Sequence, residues 1–259
     1  MSKANRSDKR ASRAQDYVVN KLLCVFTIAF LLVLGLMNVS RMMSRADSFV
    51  AMFRAMPYLV VAFGVLTVLS IVWAVVEKVK AVDTSYRLIT GKHFAYIFAF
   101  CTLCAALLAF SFNKDMLTFL YVLIPVVAVL YIVFYSYPRD FFLIAVSACL
   151  GAIAVWVLAG LKTGALYLTL LYVLSALALL VWLVAVVLTI SAHKNGGKVF
   201  GKDFFSANAL YALMYVTYAL VLAAVAVAVL LGNTVLYYAA FGLVGYLVLV
   251  GIFYTVRQI

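Results

Sequence analysis

Charge is what this chain has least of. Only 11% of its 259 residues are Asp, Glu, Lys or Arg, and eight of those are acidic. A soluble domain is about a quarter charged. The carboxylates are scattered through the segments between apolar runs, and there are two histidines. No Ser/His/Asp set and no carboxylate pair can be assembled by spacing, so acid–base and nucleophilic catalysis have nothing to rest on. No acidic cluster is available to hold magnesium for chemistry on prenyl phosphates. The expectation is a non-enzyme with no catalytic residues, no metal and no cofactor.

Cysteine is also scarce. Cys24, Cys101, Cys104 and Cys149 all lie inside apolar runs, which is not the layout of a disulfide framework. Cys101 and Cys104 have Cys-x-x-Cys spacing and share a helix face. Cys101, Ala105 and Ala109 form a small-residue ridge at four-residue spacing, at which another helix can approach closely. Ser147 with Gly151, Gly242 with Gly245, and Ala219 with Ala223 and Ala226 read the same way.

What remains is apolar. The chain is 69% hydrophobic with a mean hydropathy of +1.19. That is more apolar surface than a water-soluble core of this length needs, and a lipid bilayer is the surrounding that accepts it. A spanning helix needs roughly 20 apolar residues. Eight runs qualify: 18–39, 57–76, 94–112, 116–135, 141–160, 165–191, 208–231 and 235–256. No Asp, Glu, Arg or His lies in the middle of any of them; Lys21, near the start of the first, can snorkel to the interface. The fold class expected is therefore all-α: a polytopic helix bundle of about eight transmembrane helices, forming one helical domain over 17–259. Asp115, Asp140 and Thr234 stand where helix caps are wanted.

The positive charges set the orientation. With the N-terminus inside, the inner segments hold fifteen Lys and Arg residues and the outer segments five. Both termini are thus expected in the cytoplasm, in the plasma (cytoplasmic) membrane. This placement between spans also accounts for the net charge of +12 without nucleic acid. The first run has a basic leader, but its apolar core is long and no small-x-small site follows "MNVSRMM", so it reads as an uncleaved signal-anchor.

Two segments stand apart. Residues 1–16 are basic and polar and are expected to be a disordered cytoplasmic tail. Residues 41–56, "RMMSRADSFVAMFRAM", place Met42, Ala46, Phe49, Val50 and Phe53 on one helical face and Arg41, Ser44, Arg45, Asp47 and Ser48 on the other. They are expected as a separate helix lying flat at the outer interface.

The stretch "HKNGGKVFGKDFF", residues 193–205, has nearly the spacing of a phosphate-binding loop. A span precedes it instead of a strand, and Asp203 stands where a magnesium-binding hydroxyl belongs. It reads as a glycine-rich inner loop, with His193 in it. Lys194, Lys198 and Lys202, with Lys92 in the other long basic connection, are candidates for contact with lipid phosphates or a partner. Gly91-Lys-His-Phe94 and Gly201-Lys-Asp-Phe204 share a Gly-Lys-x-Phe pattern, a weak signal of two four-helix halves.

Tyr211, Tyr215 and Tyr218 share one face of the seventh run, with Asn208 a turn below and Thr217 off that face. Hydroxyls inside a membrane need partners in the protein or in water, so this stripe is a candidate cavity wall or a packed seam. Tyr121 and Pro125 on the fourth run, where Pro125 is expected to bend the helix, join it as candidate cavity-lining residues. Two functional classes follow. One is a transporter or permease subunit for a small uncharged solute, with an ATPase partner docking on loops 77–93 and 192–207. The other is a non-catalytic accessory or scaffold subunit of a larger membrane complex. A cavity lined by the tyrosine hydroxyls separates the first from the second; an outward-facing small-residue surface marks the second.

Overall fold

The computed structural model describes the backbone of residues 3–80, 90–110, 112–160, 165–199, 202–205, 209–231 and 233–258. Among these residues lie eight α-helices: α1 (Lys3–Met43), α2 (Ala46–Val79), α3 (Gly91–Phe110), α4 (Lys114–Ser136), α5 (Arg139–Gly160), α6 (Ala165–Lys194), α7 (Tyr211–Leu231) and α8 (Asn233–Gln258). Between α6 and α7 sits one antiparallel hairpin of β1 (Lys198–Val199) and β2 (Lys202–Asp203). The apolar runs all became helix, because a backbone in hydrocarbon must satisfy its N–H and C=O groups within its own segment. Among the described residues, six helical segments are long and apolar enough to cross a membrane: Asp16–Met43, Ser48–Val79, Gly91–Phe110, Lys114–Ser136, Ala176–Lys194 and Tyr238–Arg257. The protein is a helical, multispanning integral membrane protein. The hairpin is the one departure from an all-helical chain among the described residues.

Three boundaries differ from expectation. The basic leader is helical from Lys3, continuous with the first span. Residues 41–56 do not form a separate interfacial helix. Arg41–Met43 close α1, Arg45 is extended at φ −108°, ψ 122°, and α2 then runs from Ala46 straight through Pro57. The Ser48 hydroxyl donates to the Met42 carbonyl at 3.0 Å, tying the corner. Phe49 and Phe53 each make a ring contact with Phe112, at 5.4 and 5.9 Å, while Met42, Val50 and most of this apolar face stay exposed. Pro57 gives up one helical hydrogen bond, which a membrane helix tolerates. Finally, α4 is capped by Asn113, whose Oδ1 accepts the Met116 N–H at 2.7 Å, and Asp115 sits in the first turn behind it.

The helices gather into two compact units, residues 1–128 and 129–259. In the first unit, α2 and α3 form the most extensive contact and α1 packs sparingly on α2. Gly91 makes the α2–α3 contact possible. A Cβ there would lie 2.4 Å from the Ala74 backbone nitrogen. Glu77 Oε2 accepts the Gly91 N–H at 2.9 Å, supplying the start of α3 with an acceptor from the neighbouring helix. Halfway along, the Thr67 and Thr102 hydroxyls meet at 3.1 Å. Lys21 is buried, with its ammonium 5.8 Å from the centre of the Tyr17 ring. Cys101, Cys104 and Ala105 are buried together on α3, as a packing ridge requires.

In the second unit α5 is the central helix, packed on α6, α7 and α8. Gly151 of α5 lets α7 close in: its Cβ would meet the Val221 side chain at 2.8 Å. One core cluster is built on Phe141, Ile144, Met214, Tyr218 and Tyr254, and another on Val155, Val221, Ala224 and Leu243. Trp182 packs against both.

Candidate functional site

The chemistry-bearing side chains of the second unit collect at its hairpin end and in the layer just behind it. The hairpin forms because α6 stops in a glycine closure. Gly196 and Gly197 have φ of 61° and 91°, and the Gly197 N–H reaches back to the Ala192 carbonyl at 2.8 Å. This is the six-to-one bond of a Schellman stop, in a left-handed conformation that glycine takes without steric cost. The register pairs Lys198 with Asp203 and Val199 with Lys202. The Phe204 and Phe205 amides both donate to the Gly197 carbonyl, at 3.0 and 3.1 Å. Val199 and Phe205 are buried in the core. The segment that imitates a phosphate loop is therefore a plug. Its amides at Gly197, Phe204 and Phe205 are already used in closing it.

Under the plug lies Asp140, only 3% exposed. Its Oδ2 accepts the Tyr254 hydroxyl of α8 at 2.7 Å and the Leu210 N–H, at the start of α7, at 3.4 Å. Asp140 sits in the first turn of α5, so two helix N-termini, of α5 and α7, converge on one carboxylate. Their partial positive charge stabilises it. Sequence reading placed Asp140 in a loop as a cap for its own helix. The structure makes it a latch that joins α5, α7 and α8.

The tyrosine stripe runs along α6. His193, in the last turn of α6 rather than in the loop, stacks on the Tyr211 ring at 4.5 Å and 15°. Its Nδ1 is 3.1 Å from the Tyr215 hydroxyl. A full turn further in, the Tyr218 hydroxyl pairs with that of Thr189 at 2.7 Å, beside the Ala185 carbonyl. Tyr218 is 5% exposed and Thr189 is fully buried. On the opposite side of α7, Thr217 pairs with Tyr246 of α8 at 2.8 Å. Thr217 thus lies off the stripe, as its spacing implies. The stripe is an α6–α7 seam whose inner hydroxyls are satisfied by protein.

Ser147 departs from a local pattern. Thr27, Thr67, Ser70, Thr102, Thr189, Thr217 and Thr255 each donate to the carbonyl four residues back, which is how a hydroxyl hides on a membrane helix. Ser147 does not. Its Oγ, in a fully buried residue, makes no hydrogen bond of good geometry, and the Tyr218 hydroxyl is the polar neighbour within its reach. The indole N–H of Trp182 and the Tyr211 hydroxyl are likewise buried and without a hydrogen-bond partner. Such atoms are rare in folded proteins and mark a place where something polar fits.

The remaining sequence candidates divide between the two units. Tyr121 and Pro125 lie in the other unit; Tyr121 is half-buried and Pro125 is exposed. Lys92 also belongs to that unit and is exposed. Lys194 and Lys198 are exposed at the hairpin end. Asn208 and the Lys202 side chain lie outside what the structure describes. The two Gly-Lys-x-Phe segments differ in structure: residues 91–94 begin a helix, while Lys202 and Asp203 form a strand. Two of the small-residue ridges face outward. Ala219, Ala223 and Ala226 are exposed on α7, and Gly242 and Gly245 are exposed on α8 with nothing within 4 Å of a Cβ. His193 and Asp140 are the residues that sequence reading missed. The one available signal was that His193 falls at four-residue spacing from Thr189 and Ala185, so that α6 extends through it. Among protein families, curated proteins and solved structures, none matches this chain.

Proposed function

We propose that this protein spans the plasma (cytoplasmic) membrane eight times with both termini in the cytoplasm, and that it is a non-catalytic accessory or scaffold subunit of a larger membrane complex. The observation that carries this reading is the outward small-residue surface of α7, at Ala219, Ala223 and Ala226. Side chains this small allow another helix backbone to come close, which is how helices associate in lipid. The 22 residues of α5 and 21 of α7 are long enough to add two spans to the six apolar segments. The inner tyrosine hydroxyls close on protein groups, which removes the main support for a water-filled path. The test is gentle purification from native membranes followed by mass spectrometry. A stoichiometric membrane partner, lost on Ala223→Phe, is the expected result. A chain that purifies alone from every mild detergent overturns the reading.

A second reading, transport of a small uncharged solute, draws on Ser147 Oγ and Trp182 Nε1, two buried polar atoms of the second unit without a well-formed hydrogen bond. It requires solute flux in proteoliposomes that falls on Ser147→Val. Absence of flux for small neutral solutes removes it.

A further inference from the structure

The hairpin end of the second unit holds an arginine that is fixed in place but not neutralised. Arg139 is exposed at the start of α5. Its Nη1 donates to the Phe204 carbonyl at 3.2 Å and more weakly to the Asp203 carbonyl at 3.4 Å. Its guanidinium lies 5.5 Å from the centre of the Phe204 ring. These partners are neutral. Among the described residues no carboxylate pairs with it: Asp203, whose carbonyl it touches, carries an exposed side chain, and the carboxylate of its chain neighbour Asp140 is buried against Tyr254. Carbonyls and a ring face use part of the guanidinium and leave its other N–H donors to solvent. An arginine ordered in this way has already met the entropy cost of binding, and its planar fork suits phosphate oxygens.

The surroundings fix the depth. The starts of α5 and α7 and the ends of α6 and α8 all lie at this level, with Tyr137, Tyr211 and Tyr254 around them. Aromatic rings at helix ends mark headgroup depth. Lys198, exposed on β1, is the cross-strand partner of Asp203, so a second cation stands one strand away from the Asp203 carbonyl that Arg139 touches.

We infer that Arg139, held by the hairpin, anchors a binding site for the phosphate of an anionic lipid headgroup, with Lys198 adding charge and Asp203 limiting the affinity. The inference rests on the proposed topology, which turns this end to the cytoplasmic leaflet. That topology is tested separately, by labelling an Asn195→Cys variant from each side of sealed vesicles.

The experiment uses the full chain purified in mild detergent and titrated with phosphatidylglycerol or phosphatidylcholine, read by native mass spectrometry. Phosphatidylglycerol should be retained in preference to phosphatidylcholine. Arg139→Gln should weaken that retention about fivefold, the effect of one headgroup-level charge. Arg139→Lys should recover part of it, and Asp203→Asn should strengthen retention above wild type. The last two variants keep the test decisive if Arg139→Gln disturbs the hairpin. Equal retention of the two lipids, or phosphatidylglycerol binding indifferent to both Arg139→Lys and Asp203→Asn, overturns the site. So does a copurifying acidic protein that protects Lys198 from amine labelling after lipid is stripped. Correct sidedness at Asn195 with no lipid preference sinks the site and leaves the topology standing; reversed sidedness sinks the topology.

Discussion

The two units are made of the same apolar material and are held together differently. In residues 1–128, two helices touch backbone to backbone. Gly91 lies against Ala74, Glu77 supplies the Gly91 amide with its acceptor, and one threonine pair joins the hairpin midway. The contacts are between neighbours in sequence, and the faces of α1 and α2 are left largely to their surroundings. In residues 129–259, α5 also packs on α8 from the far end of the unit, where Asp140 reaches Tyr254. Thr189 reaches Tyr218 between neighbouring helices, and a hairpin plugs one end. Apolar composition alone decides neither arrangement, because in lipid there is no hydrophobic drive between helices. Close approach at glycine builds the first unit. Paired hydroxyls and a buried carboxylate build the second.

This contrast can be broken in steps. Gly91→Ala should have the largest effect, about 3 kcal/mol of destabilisation, because the added methyl meets backbone that cannot yield. Unfolding followed by Trp73 fluorescence in a chain with no other tryptophan reads it. Trp182 as the only tryptophan should register little change. Asp140→Ala should do the reverse. It strands the Tyr254 hydroxyl and the Leu210 amide, costs about 2 kcal/mol, and should appear at Trp182 and not at Trp73. Asp140→Asn keeps an acceptor and should be milder.

Gly151→Ala tests whether a glycine contact behaves alike in both units. Here the new methyl meets the Val221 side chain, not backbone, so the loss should be nearer about 1 kcal/mol, and Val221→Ala should restore it. A Gly151→Ala variant as damaged as Gly91→Ala would mean that α5 and α7 cannot adjust. The smallest effects belong to single hydroxyls. Tyr218→Phe and Thr67→Val should each cost about 0.6 kcal/mol, typical of one interhelical hydrogen bond in a membrane protein. If Tyr218→Phe proves much more costly, Ser147 and Thr189 act with it as one network.

Much of this was legible beforehand. The runs of apolar residues located the helices, since the need to satisfy the backbone in hydrocarbon is local and acts on any sufficiently long run. The failure of the phosphate-loop pattern was visible in Asp203. The Schellman stop was foreshadowed by Gly196 and Gly197. The small-residue ridges were visible as patterns, but not which of them would be covered. Gly151 is buried against Val221, while Gly242 faces out, and spacing along one helix cannot tell which neighbour arrives.

What the sequence determined by itself is the class of molecule: long apolar helices joined by short or basic segments, because lipid and backbone chemistry act on one segment at a time. Tertiary structure alone decided that Asp140 is a buried latch, that Phe49 and Phe53 of α2 meet Phe112, and that Tyr218 closes on Thr189. Each of these depends on a partner from a distant or separate segment, and the geometry that brings the pair within 3 Å or 6 Å exists only once the helices have packed.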